Sequence, residues 1–246
     1  VTDEKKLPKR KLENFGNSVH IKTKEITIRN IMLFKKYDKL DAKLLLESER
    51  LIRSQRYIRE VKIVPVDIPK NKDSIDIKIR VLDSWTLIPT GSLSSTESSA
   101  KLTERNILGF GHLISGNIKN RFDTKERAVY AQYSINNIKN TYFRFDLDYA
   151  NEFNNDSKRS VNINRPFYSV IAKNAGGFYF ENSLRTEQFP VLDTISLQNV
   201  SYDFQEYWYG RAFKINSKSN PERYFTNLIL ALTYNQKVFG RMPEST

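Results

Sequence analysis

The chain has no cysteine, only two histidines (His20 and His112), two tryptophans and two methionines in 246 residues. Without cysteine there is no disulfide framework, and a zinc site built from Cys and His ligands lacks its usual donors. No apolar run approaches the roughly 20 residues of a membrane helix. That excludes a helical span but not a β-barrel, whose strands show lipid only every second residue. The opening Val-Thr-Asp-Glu-Lys-Lys carries no hydrophobic signal region, so any export signal is expected to have been removed. Gly109-Phe110-Gly111 is too short for a phosphate-cradling loop and has no helix after it. There is no Gly-x-Ser-x-Gly elbow, although a Ser-His-Asp triad is recognised by geometry rather than by spacing. The expectation is no enzyme, no metal and no cofactor. His20 reads as a surface residue and His112 as a strand residue near a turn.

Basic residues are plentiful: 40 Lys+Arg against 28 Asp+Glu give a net charge of +12. Nucleic acid, anionic lipid headgroups or an acidic protein could answer that charge. Arg50, Arg53, Arg56 and Arg59 are joined by only one aromatic residue, Tyr57, which is not a stacking platform for bases. No nucleic-acid partner is expected. These arginines read as a solvated helix face, or as a contact for headgroups or an acidic protein partner.

From Lys9 to Trp85 the pattern is that of a small α+β domain, preceded by a charged, flexible lead-in over residues 1–8. Arg10–Phe15 can form a first strand, with a turn at Gly16-Asn17. Thr23 is expected to cap a helix over Lys24–Phe34, weakened by its β-branched residues. Asp41 caps a second helix, from Ala42 to about Ser54. Leu44, Leu45, Leu51 and Ile52 share one face of it, and Glu49 and Arg53 form an i,i+4 pair on the other. A strand over Glu60–Ile68, a turn at Asn71-Lys72-Asp73 and a strand alternating Ile75, Ile77, Ile79 and Val81 complete a β-α-α-β-β order. Pro65 fits an edge strand. It either leaves the rest of that edge open to a partner or blunts it against aggregation.

After Trp85 the chain changes character. Leu87–Ser99 is small and polar, a solvated loop or edge strand, or a first strand of weakly fixed register that can unpair. About eight or nine strand-like segments of about 9–13 residues follow, close to what a tilted strand needs to cross a bilayer. In Thr141–Ala150, Phe143, Phe145, Leu147 and Tyr149 oppose Arg144, Asp146 and Asp148. Gly176-Gly177 is expected to kink or bulge its strand. No helix interrupts the series, so the strands should meander antiparallel. A partial transmembrane β-barrel over residues 86–246 and a soluble β-sandwich both suit this alternation. Length and the charged face favour the barrel.

Several runs resemble the POTRA-domain superfamily that assembles or secretes proteins at the outer membrane. They are Phe15-Gly16-Asn17, Thr23-Lys24, Ile28-Arg29, Leu46–Arg53 and Tyr57–Val61, then Val81–Leu87 at the exit from the domain. Glu104-Arg105-Asn106-Ile107-Leu108-Gly109-Phe110-Gly111 is similar to the turn after the second barrel strand. Arg165-Pro166-Phe167-Tyr168-Ser169 is similar to a segment further round the wall. The resemblance implies a periplasmic POTRA-like domain and an outer-membrane barrel in a Gram-negative bacterium. It implies outer-membrane lipid as surroundings, unfolded or exported proteins as clients, and periplasmic or lipoprotein accessory subunits as partners. A client would add as a strand along Val61, Ile63, Val64, Val66 and Asp67. The strand bearing Thr90, Gly91, Ser92, Leu93 and Ser94 would form one side of a lateral seam. Arg144, Asp146 and Asp148 would face the lumen, and Asn106, Gly109, Gly111, Arg165, Pro166 and Phe167 hold the family-motif positions. Family barrels have about twice the strands found here, so the expectation is a fragment, or half-barrels that associate. The rival readings are a soluble α/β-plus-sandwich adhesion or scaffold protein, a barrel enzyme and a passive pore.

Overall fold

The structure is a computed structural model that describes residues 21–69, 71–191, 194–215 and 226–241. The expected lead-in, the strand Arg10–Phe15, the turn at Gly16-Asn17 and His20 lie outside these residues. The first part described contains α1 (Glu25–Arg29), α2 (Ala42–Arg53), β1 (Ile58–Ile68) and β2 (Asn71–Asp83). β1 and β2 pair antiparallel. Asn71-Lys72-Asp73 is not a turn, because Asn71 already pairs with Ile68 and opens β2.

α2 forms as its sequence requires. Asp41 Oδ1 accepts the Lys43 N–H at 2.8 Å, satisfying one of the free donors at the helix start. Ser48, Leu51 and Ile52 are buried along one side. α1 is shorter than expected. Its run Ile26-Thr27-Ile28 is β-branched throughout and supports barely more than one turn. Nor is Thr23 its cap. The helix starts after Lys24 with no side-chain cap, and the Thr23 hydroxyl donates instead to Asp83 Oδ1 at 2.6 Å. Ile28, Ile31, Met32, Leu51, Ile52, Tyr57, Ile58 and Val61 close into one buried cluster between the helices and the inner face of β1.

The rest is one nine-stranded antiparallel sheet, β3 (Leu87–Leu93), β4 (Glu97–Ile107), β5 (His112–Arg121), β6 (Arg127–Ile135), β7 (Arg144–Asn151), β8 (Ser157–Arg165), β9 (Asn174–Val191), β10 (Thr194–Ile215) and β11 (Thr226–Arg241). Each strand pairs with its neighbours in chain order, and the sheet is not closed: β3 and β11 are its two edges. The strands run from 7 to 22 residues, well beyond the expected span at the upper end. The excess lies in stretches such as Glu181–Gln188, which carry no apolar periodicity but pair without a break with β10. Backbone ladders continue wherever both chains supply donors and acceptors, whatever the side chains are.

The registers place side chains in rows. One face carries His112–Ile135–Phe145–Ile163–Phe178–Tyr207–Tyr234 across seven strands, and beside it Ile114–Tyr133–Leu147–Val161–Phe180. The other carries Ser134–Asp146–Asn162–Tyr179–Glu206 and Gln132–Asp148–Ser160–Glu181. A sandwich would bury the apolar face beneath a second sheet. Here Leu147 is 45% exposed and Leu232 80%, and among the described residues no second sheet covers them. Gly176-Gly177 makes no bulge, since β9 keeps its register with both neighbours there. Gly177 instead admits a close neighbour: a Cβ at this position would lie 2.5 Å from Asn164 Cβ.

Candidate functional site

Four places gather the residues singled out by sequence. The first is the outer edge of β1. In an antiparallel pair, alternate residues turn their N–H and C=O towards the partner strand or away from it. The Ile63 N–H and the Val61 C=O bond to side chains of α2, not to β2. Residues 61, 63, 65 and 67 therefore turn their backbone groups outward. Pro65 falls on an outward position, where its missing N–H costs the β1–β2 ladder nothing. The side chain of Val61 is buried in the core, whereas Val64 and Val66 are exposed on the far face and Asp67 is exposed at the strand end.

The second is β3, an edge strand paired only with β4. Thr90, Gly91, Ser92 and Leu93 are exposed, with Leu93 at 80%. One hydrogen bond between side chains joins Ser92 to Ser99 at 2.8 Å. Ser94 is not part of the strand. It lies in the β3–β4 turn, where its N–H donates to Glu97 O at 2.8 Å and its Oγ accepts the Glu97 N–H at 2.9 Å. Its short side chain turns back on the local backbone, as serine does at turns.

The third is the junction where the α/β part meets one end of the sheet, and the motif positions converge there. Asn106 is fully buried. Its Nδ2 donates to Thr23 Oγ1 at 2.9 Å, and its Oδ1 accepts the Gly111 N–H at 2.7 Å. Gly109 O accepts both the Lys24 N–H at 2.9 Å and the Thr27 hydroxyl at 2.7 Å. Gly109 and Gly111 have φ of +80° and +70°, which glycine adopts without strain. A Cβ on Gly111 would also lie 2.6 Å from the Tyr57 hydroxyl. Burial pushes the Tyr57 phenol well above its ordinary range, and the charge of Asp83 adds to the shift.

Two further loops clamp the same end. From the β6–β7 loop, Asn137 Nδ2 donates to Asn30 O at 2.7 Å, and the Tyr142 hydroxyl sits 3.1 Å from both Ile31 O and Met32 O. The Tyr142 ring stacks on Tyr168 of the β8–β9 loop, with centroids 3.7 Å apart and planes 5° from parallel. Burial first, and the neighbouring Tyr168 second, push the Tyr142 phenol up to about 12. Arg165 holds that loop, donating to Thr141 O at 3.1 Å, Asn174 O at 2.8 Å and Tyr168 Oη at 3.1 Å. Pro166 is exposed, and the Phe167 ring packs beside Gly210 of β10. From α2, Arg50 donates to Tyr168 O at 3.1 Å and pairs with Glu47 at 2.8 Å. The Arg50 hydrogen bond is the main cause holding the Glu47 carboxyl below its ordinary value.

Arg144, Asp146 and Asp148 share the polar face of the sheet. Asp146 is 5% exposed, and it is bonded by Ser134 Oγ at 2.6 Å, Arg144 Nε at 2.7 Å and Asn162 Nδ2 at 3.4 Å. Among the described residues no group of three or more His, Cys, Asp or Glu side chains is arranged to hold a metal. Sequence reasoning did not pick out Thr27, Asn137 or Tyr142 for the junction. Their partners lie 82 to 111 residues away, and nothing local marks such contacts.

An open antiparallel sheet, apolar on one face and polar on the other, with an α/β part fixed to the turns at one end, defines the fold. It is shared with CdiB from Acinetobacter baumannii, which is 11% identical at a TM-score of 0.50, over 89% of this chain and 44% of that one. BamA from Haemophilus ducreyi, in a crystal structure lacking POTRA domains 1–3, is 14% identical at a TM-score of 0.49, over 89% of this chain and 47% of that one. The chain thus spans less than half the length of either. No family model and no curated protein matches the sequence.

Proposed function

We propose that this chain is part of an outer-membrane protein of a Gram-negative bacterium that assists the insertion of barrel proteins or passes a protein client across the membrane. The observation that carries this reading is the uncovered apolar face, on a sheet of the fold seen in CdiB. Strand ladders pair the backbone of each interior strand with both neighbours, which is what a hydrocarbon surrounding demands. The rows headed by His112 and Ile114 would then face lipid, and Arg144, Asp146 and Asp148 the lumen. The α/β part would be a periplasmic POTRA-like domain held against the barrel end by the junction. The mechanism needs no catalysis, cofactor or metal. A client segment would add by main-chain hydrogen bonds to the outer edge of β1 and would be passed to a seam at β3, whose exposed small side chains offer little resistance to unpairing.

The test is fractionation of cells producing the full protein, followed by carbonate extraction of the membranes. The expected result is a chain that stays with the outer membrane and becomes monodisperse only in detergent. A monodisperse, detergent-free chain in the soluble fraction would overturn the reading and promote a water-soluble adhesion or scaffold protein.

A further inference from the structure

The outer edge of β1 is already in use. α2 crosses behind it, and its last two turns each send one side chain to the strand. Glu49 Oε2 accepts the Ile63 N–H at 3.1 Å, and Arg53 Nη2 donates to Val61 O at 3.3 Å. The two side chains also pair with each other through Glu49 Oε1 and Arg53 Nη2. The C=O of one residue and the N–H two residues on point to the same side of a strand, and an added strand binds such a pair with one acceptor and one donor. Glu49 supplies the acceptor and Arg53 the donor.

We infer that the Glu49–Arg53 pair is a side-chain stand-in for a strand, which a client must displace to add along the whole of β1. This rests on the edge reading given under Proposed function. Beyond the capped groups, Pro65 offers a carbonyl but no N–H, and the next complete pair of groups is at Asp67. A client therefore makes first contact near Pro65–Asp67 and zips towards Val61 as the pair lets go. The released Glu49 and Arg53 keep each other as partners, so opening the edge leaves no lone charge behind. The client that fits is an extended segment with apolar side chains beside the exposed Val64 and Val66 and an acid beside Lys62, which lies opposite Arg80. Like charges facing across a strand pair are unfavourable, and an acid added at the edge relieves them.

The absence of cysteine makes the test clean. A single cysteine is placed at Val64, and the full chain in detergent is offered, under mild oxidation, a cysteine-bearing peptide copying residues 198–209, in which Tyr202, Phe204 and Glu206 share one face. Amide exchange at Ile63 is followed in parallel. The proteins compared are the parent, Glu49→Ala/Arg53→Ala, and Glu47→Ala, which breaks the neighbouring ion pair that does not reach the edge. Uncapping should speed exchange at Ile63 by roughly tenfold or more, the value of one hydrogen bond to a charged acceptor. It should also raise the cross-link yield several-fold, while Glu47→Ala does neither. Glu49→Gln, which keeps α2 intact and leaves a weaker acceptor, should give a smaller rise at the same amide. Unchanged exchange at Ile63, or a cross-link yield equal in parent and double variant, overturns the cap and leaves the edge reading standing. Faster exchange with no cross-link in any protein overturns the edge reading and with it the gating role.

Discussion

The two parts of this chain are held together by opposite uses of the same residues. In the α/β part, apolar side chains turn inward: Ile52 is fully buried, and seven others close around it. In the sheet, apolar side chains line one face and stay uncovered, while the buried groups of the other face are hydroxyls, amides and carboxylates such as those around Asp146. The first arrangement is stable in water because burial removes apolar surface from it. The second is held by backbone ladders between neighbouring strands and leaves its apolar face uncovered. Under the function proposed above, one chain would be written for two solvents, with the junction as the border between them.

The sharpest way to break the comparison is Ile52→Ala. The lost side chain leaves a cavity in the only buried apolar cluster described, and such changes cost about 2–5 kcal/mol. Denaturation in detergent, followed by amide exchange in β2 and in β7, should show early loss of protection in β2 with β7 unaffected. Equal loss in both would mean the two parts unfold as one. The next effect is on the other side of the border. Leu147→Arg puts a charge in the middle of the apolar face, which should cost about 2–4 kcal/mol in a bilayer if that face meets lipid. Refolding into vesicles measures it, and a loss near zero would mean that water covers the face.

The smallest effect sharpens the border itself. Tyr142→Phe removes the hydroxyl shared by Ile31 O and Met32 O and should loosen the junction by about 1 kcal/mol. It also has a pH signature. The native phenol titrates at about 12, whereas an unfolded tyrosine titrates near 10. The unfolded chain therefore loses its proton first. The contribution of Tyr142 is complete below pH 10 and is lost as the pH rises from 10 to 12. Tyr142→Phe should flatten that part of the stability curve, and an unchanged slope would show that the phenol is not buried at the junction.

Asp41, Ala42–Arg53 and the alternation of Ile75, Ile77, Ile79 and Val81 were legible because each is a local pattern with a local cause: a cap, a helical face, a two-residue period. The opposition of Leu147 and Tyr149 to Asp146 and Asp148 was legible for the same reason. The end of α1 was not legible, because its propensity and its apolar spacing disagree and only packing chooses between them. The place of Ser94 in a turn and not in the expected strand was not legible, since serine suits a polar strand and a turn equally well. The upper ends of β9 and β10 were missed, because a ladder built from backbone leaves no trace in polar side chains.

The sequence by itself determined that there are two kinds of segment and which residues within each must share a face. Periodicity is a property of neighbours along the chain, so no tertiary contact was needed to see it. Only the tertiary structure decided that Thr23 binds Asp83 and Asn106 rather than capping a helix, that Tyr142 meets Tyr168, and that Glu49 and Arg53 reach the edge of β1. Except for the reach from α2 to β1, these contacts join residues 26 to 83 positions apart. In every case a short polar or aromatic side chain has several possible partners of similar worth, and the fold alone selects which one is within reach.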